Sequence, residues 1–296
     1  MHYTGQVYRP PLEAYTPLLE VTYGCSHNKC AFCTMYKQTK YGISPLEDVK
    51  SDIIELSNSF QRKLKPFERI YLLNGDPFTL PTEKLLKIAE LIKEYIPECK
   101  TITAYCSFYN LENKILDDMK KLKEAGYNEL WFGVETGYQK ALDYINKGTN
   151  LDGYYRGLDK MKVAGIEYHA IVMQGIAGSG NSLINAKETA KVLNYYPPKG
   201  VYIMSTAVNE GSPLYYMRER GEFIETTNRE NLEEQIYLLE NLEMPNETLY
   251  SSAHMVNMVS VSGHMDKKQK MIEKLKYALE TIDPEILDMT NQREAR

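Results

Sequence analysis

The chain has 296 residues, 43% of them hydrophobic, with 35 Lys and Arg against 40 Asp and Glu for a formal net charge of −5. That apolar content supplies a sizeable core. The mild acidity, without blocks of like charge, argues against a nucleic-acid or anionic-membrane surface, and no apolar run approaches the ~20 residues of a membrane span.

The opening stretch, MHYTGQVYRPPLEAY, is polar and has no apolar h-region, so it does not read as a secretory leader. An odd cysteine count, five, then predicts a reducing compartment, the cytoplasm, and no disulfide framework.

Short apolar runs alternate with longer amphipathic ones. The first strand is expected over 18–24 (LLEVTYG), followed by a helix over 44–60 that opens on Ser44-Pro45. A strand over 69–75 (RIYLLNG) precedes a helix over 80–96 with Thr82 as its expected N-cap. The strand 101–106 (TITAYC) leads to a helix over 112–126 that stops at Gly126. Strands over 129–135 (ELWFGVE), 168–175 (YHAIVMQG) and 201–207 (VYIMSTA) alternate with helices over 151–165 and 182–196. Beyond 215 the pattern changes. Helices are expected over 228–244 and 266–282, joined by a polar, Met-rich connector.

Six strands alternating with helices predict a parallel sheet, and ligands of such sheets sit at the C-terminal ends of the strands. Periodicity alone leaves an open sheet, a partial barrel and a full barrel open. The chemistry-bearing residues cluster at those ends: Cys25, Asp76, Cys106, Glu135 and Gly175 each close or follow an expected strand.

Three of the five cysteines fall within GCSHNKCAFC (24–33), spaced C-x4-C-x2-C. Three thiolates on one loop can share a metal centre. One reading is a zinc site on Cys25, Cys30, Cys33 and a fourth ligand such as His27. Zinc sites usually pair two C-x2-C units, and this chain has no second pair. The other reading is a centre with an open coordination position. A catalytic thiol is the weaker option, since it does not need three.

The loop, directly after a first strand, resembles the cluster-binding loop of the radical S-adenosylmethionine (radical SAM) superfamily. That family usually shows C-x3-C-x2-C with an aromatic residue before the last cysteine. Phe32 stands there, while one extra residue separates the first two cysteines. Further segments follow in order. LLNGDPF (72–78) resembles the Gly-rich motif ending the second strand. LWFGVETGYQKALDYINKGTN (130–150) resembles the fourth-strand segment of the branch containing coproporphyrinogen dehydrogenases, methylthiotransferases and cobalamin-dependent radical enzymes. VMQGIAGSG (172–180) and VNEGSPLYYM (208–217) resemble that branch's fifth- and sixth-strand segments, the former without its usual Pro and Glu.

The resemblance covers about residues 15–217. It implies an α/β fold, a partial (β/α)6 TIM-like barrel over 1–217, with a C-terminal mainly helical extension over 218–296 packed on or capping it. It implies one [4Fe-4S] cluster on Cys25, Cys30 and Cys33 with one iron left for S-adenosylmethionine. Reductive cleavage would give a 5′-deoxyadenosyl radical that takes hydrogen from a substrate. Cofactor contacts are expected from Phe32, Asn74, Gly75, Asp76, Glu135, Gly175 and Gly178.

Each of these residues also has a plainer reading. Asn74, Gly75 and Asp76 form an Asp-Pro turn, Glu135 closes an internal salt bridge, and Gly175 and Gly178 belong to an ordinary loop. Lys147 and Arg156 either meet the cofactor carboxylate or are solvated helix charges. Cys106, His254 and Asn257 are the candidates for substrate contact or proton transfer, against core or loop roles; His264 shares the connector, and Cys99 reads as structural.

The expected partners are a low-potential electron donor such as flavodoxin or ferredoxin and a small-molecule substrate in an anaerobic cell, with no membrane and no nucleic acid. A small-molecule oxidation, decarboxylation or rearrangement is expected, with the coproporphyrinogen dehydrogenase branch as nearest analogue. The alternatives are a zinc-stabilised α/β binding protein, or a radical SAM enzyme acting on RNA or peptides.

Overall fold

The computed structural model describes residues 1–61 and 67–291; positions 62–66 and 292–296, which the expected domains include, lie outside the described residues. The chain divides into two compact units. The first comprises Met1–Asn28, Met35–Phe132 and Asp159–Tyr168, and the second Lys29–Thr34, Gly133–Leu158 and His169–Arg296.

In the first unit, β1 (Leu18–Leu19), β4 (Arg69–Leu72), β5 (Thr101–Cys106) and the start of β6 (Tyr127–Glu135) pair in parallel. Their buried faces carry Leu19, Ile70, Leu72, Ile102, Ala104, Leu130 and Phe132. Helices α1 (Leu46–Gln61), α2 (Thr82–Tyr95), α3 (Phe108–Glu112) and α4 (Leu116–Glu124) connect the strands. Helix α4 ends as its sequence dictates: Gly126 takes φ +106°, a left-handed conformation that costs glycine little. Near the strand starts, Arg69 joins Glu13 (2.6 Å) and Glu129 (2.5 Å), and the Trp131 indole N–H donates to Glu13 (3.0 Å).

The single strand expected over 18–24 is two. Leu18–Leu19 joins the parallel sheet, whereas β2 (Thr22–Tyr23) pairs antiparallel with β3 (Gly42–Ile43). Glu20 stands between them, fully buried. Its carboxylate accepts the Thr4 N–H (2.9 Å) and the Asn74 side-chain amide (3.2 Å) instead of leaving an apolar strand face unbroken. Thr82 is the first helical residue of α2 rather than its N-cap, a position that Pro81 takes without a side-chain bond.

In the second unit, β7 (Glu167–Gln174, from His169 onward) pairs in parallel with β8 (Gly200–Ser205), and β8 with β9 (Leu249–Ser251). Strand β10 (Ser262–His264) adds antiparallel to β9. The expected connector thus contains two strands of three residues each, too short and too serine-rich for alternation to announce them. The helices are α5 (Gln139–Tyr144), α6 (Leu151–Ala164, as far as Leu158), α7 (Ser182–Tyr195), α8 (Pro213–Glu219), α9 (Asn228–Asn241), α10 (Lys268–Thr281) and α11 (Pro284–Leu287). A capping box starts α9: the Thr227 hydroxyl accepts the Glu230 N–H while the Glu230 carboxylate accepts the Thr227 N–H.

Within the first unit the hydrogen-bonding order is β1-β4-β5-β6, and within the second it is β7-β8-β9-β10. Among the described residues no helix is long and apolar enough to cross a membrane.

Candidate functional site

Cys25 belongs to the first unit, Cys30 and Cys33 to the second. Among the described residues none of the three is in a disulfide, and all are half-buried. Among the described residues no group of three or more His, Cys, Asp or Glu side chains stands gathered for a metal ion.

In the first unit, Cys25 follows β2. The Asn28 N–H donates to its sulfur (3.4 Å). Asn28 itself takes φ +44° and fixes that turn by donating its side-chain amide to the Tyr36 carbonyl (2.9 Å). The 74–76 turn lies directly on this segment. The Gly75 N–H donates to the Gly24 carbonyl (3.1 Å), and a Cβ at Gly75 would stand 2.7 Å from Cys25 Cβ. Only glycine permits that approach.

Asn74, at φ +75°, ends the strand and donates its amide to Glu20 and to the Thr22 carbonyl (3.0 Å). Asp76 Oδ2 accepts the Ser107 N–H (3.0 Å) and the Asn110 amide (2.6 Å), while Ser107 caps α3. Burial pushes the Asp76 carboxyl up to about 6, against the Ser107 and Asn110 bonds that pull it down. Two buried acceptors here lack a donor among the described residues: Asn74 Oδ1 and Asp76 Oδ1.

In the second unit, Cys30 and Cys33 form a tight turn, with the Cys33 N–H donating to the Cys30 carbonyl (3.3 Å). The Ala31 N–H donates to the Ile145 carbonyl (2.8 Å), and the Leu214 N–H to the Ala31 carbonyl (2.8 Å). Sequence left Glu135 open between a cofactor and an internal cation. Here Lys147 Nζ pairs with its Oε1 at 2.5 Å, and the two side chains are 15% and 8% exposed. Lys147 Nζ also lies 5.7 Å from the centre of the Phe32 ring. Burial opposes the Lys147 charge, but Glu135, Cys30 and Tyr154 outweigh it and hold the ammonium above the ordinary lysine range. Glu135 sits at φ +59°, a conformation disfavoured for a side-chain-bearing residue.

Gly175 and Gly178 both take φ +77°. The Gly175 N–H donates to Glu234 Oε2 (3.0 Å), and a Cβ there would stand 2.4 Å from Thr226 Oγ1. Glu234, from α9, was not a sequence candidate. Burial pushes its carboxyl up to about 8, although the Gly175, Asn185 and Ser182 bonds pull it down. No spacing signal marks it, because its partners lie about fifty or more residues away in sequence.

The remaining candidates fall into place. Cys106 is buried at the end of β5, and burial pushes its thiol well up. The His27 ring lies 6.3 Å from that of Tyr109. His254 accepts the Val256 N–H at its ring (3.4 Å), and burial lowers its basicity. Asn257 uses its whole amide. Oδ1 accepts the Ser205 N–H (2.7 Å) and hydroxyl (3.0 Å), and Nδ2 donates to the Ile203 (2.7 Å) and Ser252 (2.8 Å) carbonyls. Arg156 is exposed on α6. His264 Nδ1 is bonded to the Glu247 carbonyl oxygen (2.8 Å).

The sequence profile of the Radical SAM superfamily matches residues 19–193. An uncharacterised protein of Methanocaldococcus jannaschii is 27% identical over 226 residues, 69% of this chain and 65% of its own length. The heme chaperone HemW of Bacillus subtilis is 24% identical over 159 residues, 52% of this chain and 41% of its own. Among solved structures, methylornithine synthase (PylB) superposes with a TM-score of 0.52 at 18% identity, over 78% of this chain and 64% of that one. The chain therefore spans just under two thirds of the length of the first two of these similar to it by sequence or fold taken in turn, the M. jannaschii protein and methylornithine synthase. At that identity the last likeness concerns the fold, an α/β partial barrel, as the sequence predicts.

Proposed function

The chain belongs to the radical SAM superfamily, and from that premise we propose that it is an enzyme in which Cys25, Cys30 and Cys33 hold a [4Fe-4S] cluster that cleaves S-adenosylmethionine. The cofactors of this family are that cluster and S-adenosylmethionine. The donor set fits: three half-buried thiols outside any disulfide, on a loop whose first cysteine packs against a glycine turn. When bound, the cluster and S-adenosylmethionine supply a 5′-deoxyadenosyl radical, and the protein supplies position and exclusion of water.

The observation that carries this reading is the pair of orphaned acceptors on the turn packed against Cys25, Asn74 Oδ1 and Asp76 Oδ1. We assign them to the ammonium of S-adenosylmethionine. Phe32, next to Cys33, is assigned as a further cofactor contact. The second carboxylate oxygen of Glu135 is assigned to the ribose hydroxyls, and the left-handed turns at Gly175 and Gly178 to close backbone approach by the adenine.

The substrate class we propose is a small molecule that loses hydrogen to the radical, in an oxidoreductase or lyase reaction. The electron donor is a flavodoxin or ferredoxin in the cytoplasm of an anaerobic cell. The segment 218–296 is proposed as the extension that borders the substrate, with His254 the residue there for proton transfer. Cys106 is the other substrate-facing candidate.

Anaerobic purification tests the reading. A brown protein whose visible absorbance bleaches with dithionite is expected. A colourless protein carrying one zinc per chain overturns it and supports the zinc-stabilised binding protein instead.

A further inference from the structure

The turn Ile145–Lys147 carries the cysteine hairpin of the second unit. Three independent contacts tie them. The Ala31 N–H donates to the Ile145 carbonyl (2.8 Å), the Asn146 amide donates to the Lys29 carbonyl (3.3 Å), and the Lys147 ammonium faces the Phe32 ring at 5.7 Å. Lys147 is in turn held by Glu135 at 2.5 Å. The pair lies close against the backbone of Gly133. A Cβ at Gly133 would stand 2.2 Å from Glu135 Oε1 and 2.7 Å from Lys147 Nζ. A nearly buried cation is thus built between a strand end and the loop bearing Cys30 and Cys33, and the Cys30 thiol is among the groups that act on its charge.

Resting on the reading that these cysteines hold a cluster, we propose that Lys147 is a positioning residue whose fixed charge sets the reduction potential of that cluster, with Glu135 as its counter-charge. Reduction transfers one electron from an external reductant to the cluster and neither forms nor breaks a bond, so the reduced centre carries one more negative charge. A neighbouring ammonium stabilises that state and a neighbouring carboxylate destabilises it. Poorly hydrated surroundings screen both charges less than water does. Because the two partners are opposite in sign, each tunes the potential in its own direction.

The test is a reductive titration of the reconstituted full-length protein without S-adenosylmethionine, followed by visible absorbance and electron paramagnetic resonance. Lys147→Gln is expected to move the midpoint to more negative potential and Glu135→Gln to more positive potential. Lys147→Arg should stay near wild type, and iron content should stay the same throughout. Shifts of the same sign in the two Gln variants, or none, overturn the proposal, because a role in packing alone predicts no opposition of sign. If Lys147→Gln does not retain iron, Glu135→Gln decides by itself: a positive shift supports the proposal and an unmoved midpoint overturns it. A wild-type protein with no reducible chromophore overturns the cluster reading and this proposal together. A wild-type protein with a cluster but without opposed shifts overturns this proposal alone.

Discussion

Asp76 shows how much one buried carboxylate decides. One oxygen accepts from Ser107 and Asn110, and the other has no hydrogen-bond partner among the described residues. Its carboxyl is pushed up to about 6, chiefly by burial. In the unfolded chain an aspartate titrates near 4. Between those two values the folded protein binds the proton more tightly, so this contribution to stability is complete below about pH 4 and is lost as pH rises through 6. About two pH units correspond to ~3 kcal/mol. Asp76→Asn in the cofactor-free protein should therefore flatten the fall in unfolding free energy between pH 4 and 6.5. Urea titrations across that range check it, and parallel curves for the two proteins would assign the pH dependence elsewhere.

The position of Asp76 after a strand was legible from the sequence. Its partners were not, because they come from a helix 31 and 34 residues further on. The same holds for Glu135. Sequence named its two possible partners, and the fold supplied the cation twelve residues on, across the α5 turn.

The elements repeat the lesson. The alternation of apolar runs and amphipathic helices gives the β-α order, and each long helix lies within a few residues of its expected span. The three-residue strands β9 and β10 were illegible, since three residues carry too little periodicity to rise above a serine-rich connector. Asn257 is what makes that connector regular. Its amide bridges the backbone of β8 to Ser252 through four hydrogen bonds. Sequence offered it as a reactive residue, and a side chain with every polar position engaged acts first as a staple. Asn257→Ala leaves the buried Ser205 N–H and two carbonyls unpaired. It should cost about 2–4 kcal/mol, read as a lower urea midpoint with an unchanged slope. Unchanged stability with altered turnover would return Asn257 to the reacting centre.

For the molecule as a whole, the five cysteines fix how many clusters the chain can hold. Three lie in the 25–33 loop. Cys99 precedes β5 and Cys106 ends it, so seven residues of near-extended chain separate them by roughly 23 Å. Burial pushes Cys99 up to about 11 and Cys106 well above the usual thiol range, which leaves both poor thiolate donors. One cluster is expected, with about four irons per chain, and Cys99→Ser with Cys106→Ser should not change that number. A count near eight that falls to four in the double variant would show a second cluster and reopen sulfur-insertion and peptide-modifying chemistry.

The fold class, the loop and the family were legible from spacing and order. The pairings were not: sequence named Lys147 without Glu135 as its partner, and it named neither Asn110 beside Asp76 nor Glu234 beside Gly175.

The most direct measurement of the central claim is 5′-deoxyadenosine production. The reconstituted, dithionite-reduced protein is incubated with S-adenosylmethionine without oxygen, and the products are separated by chromatography. The account predicts 5′-deoxyadenosine and methionine from the wild type, and neither from Cys25→Ala, Cys30→Ala or Cys33→Ala. A wild-type protein that carries four reducible irons and forms no 5′-deoxyadenosine, or a cysteine variant that forms as much as wild type, would contradict it.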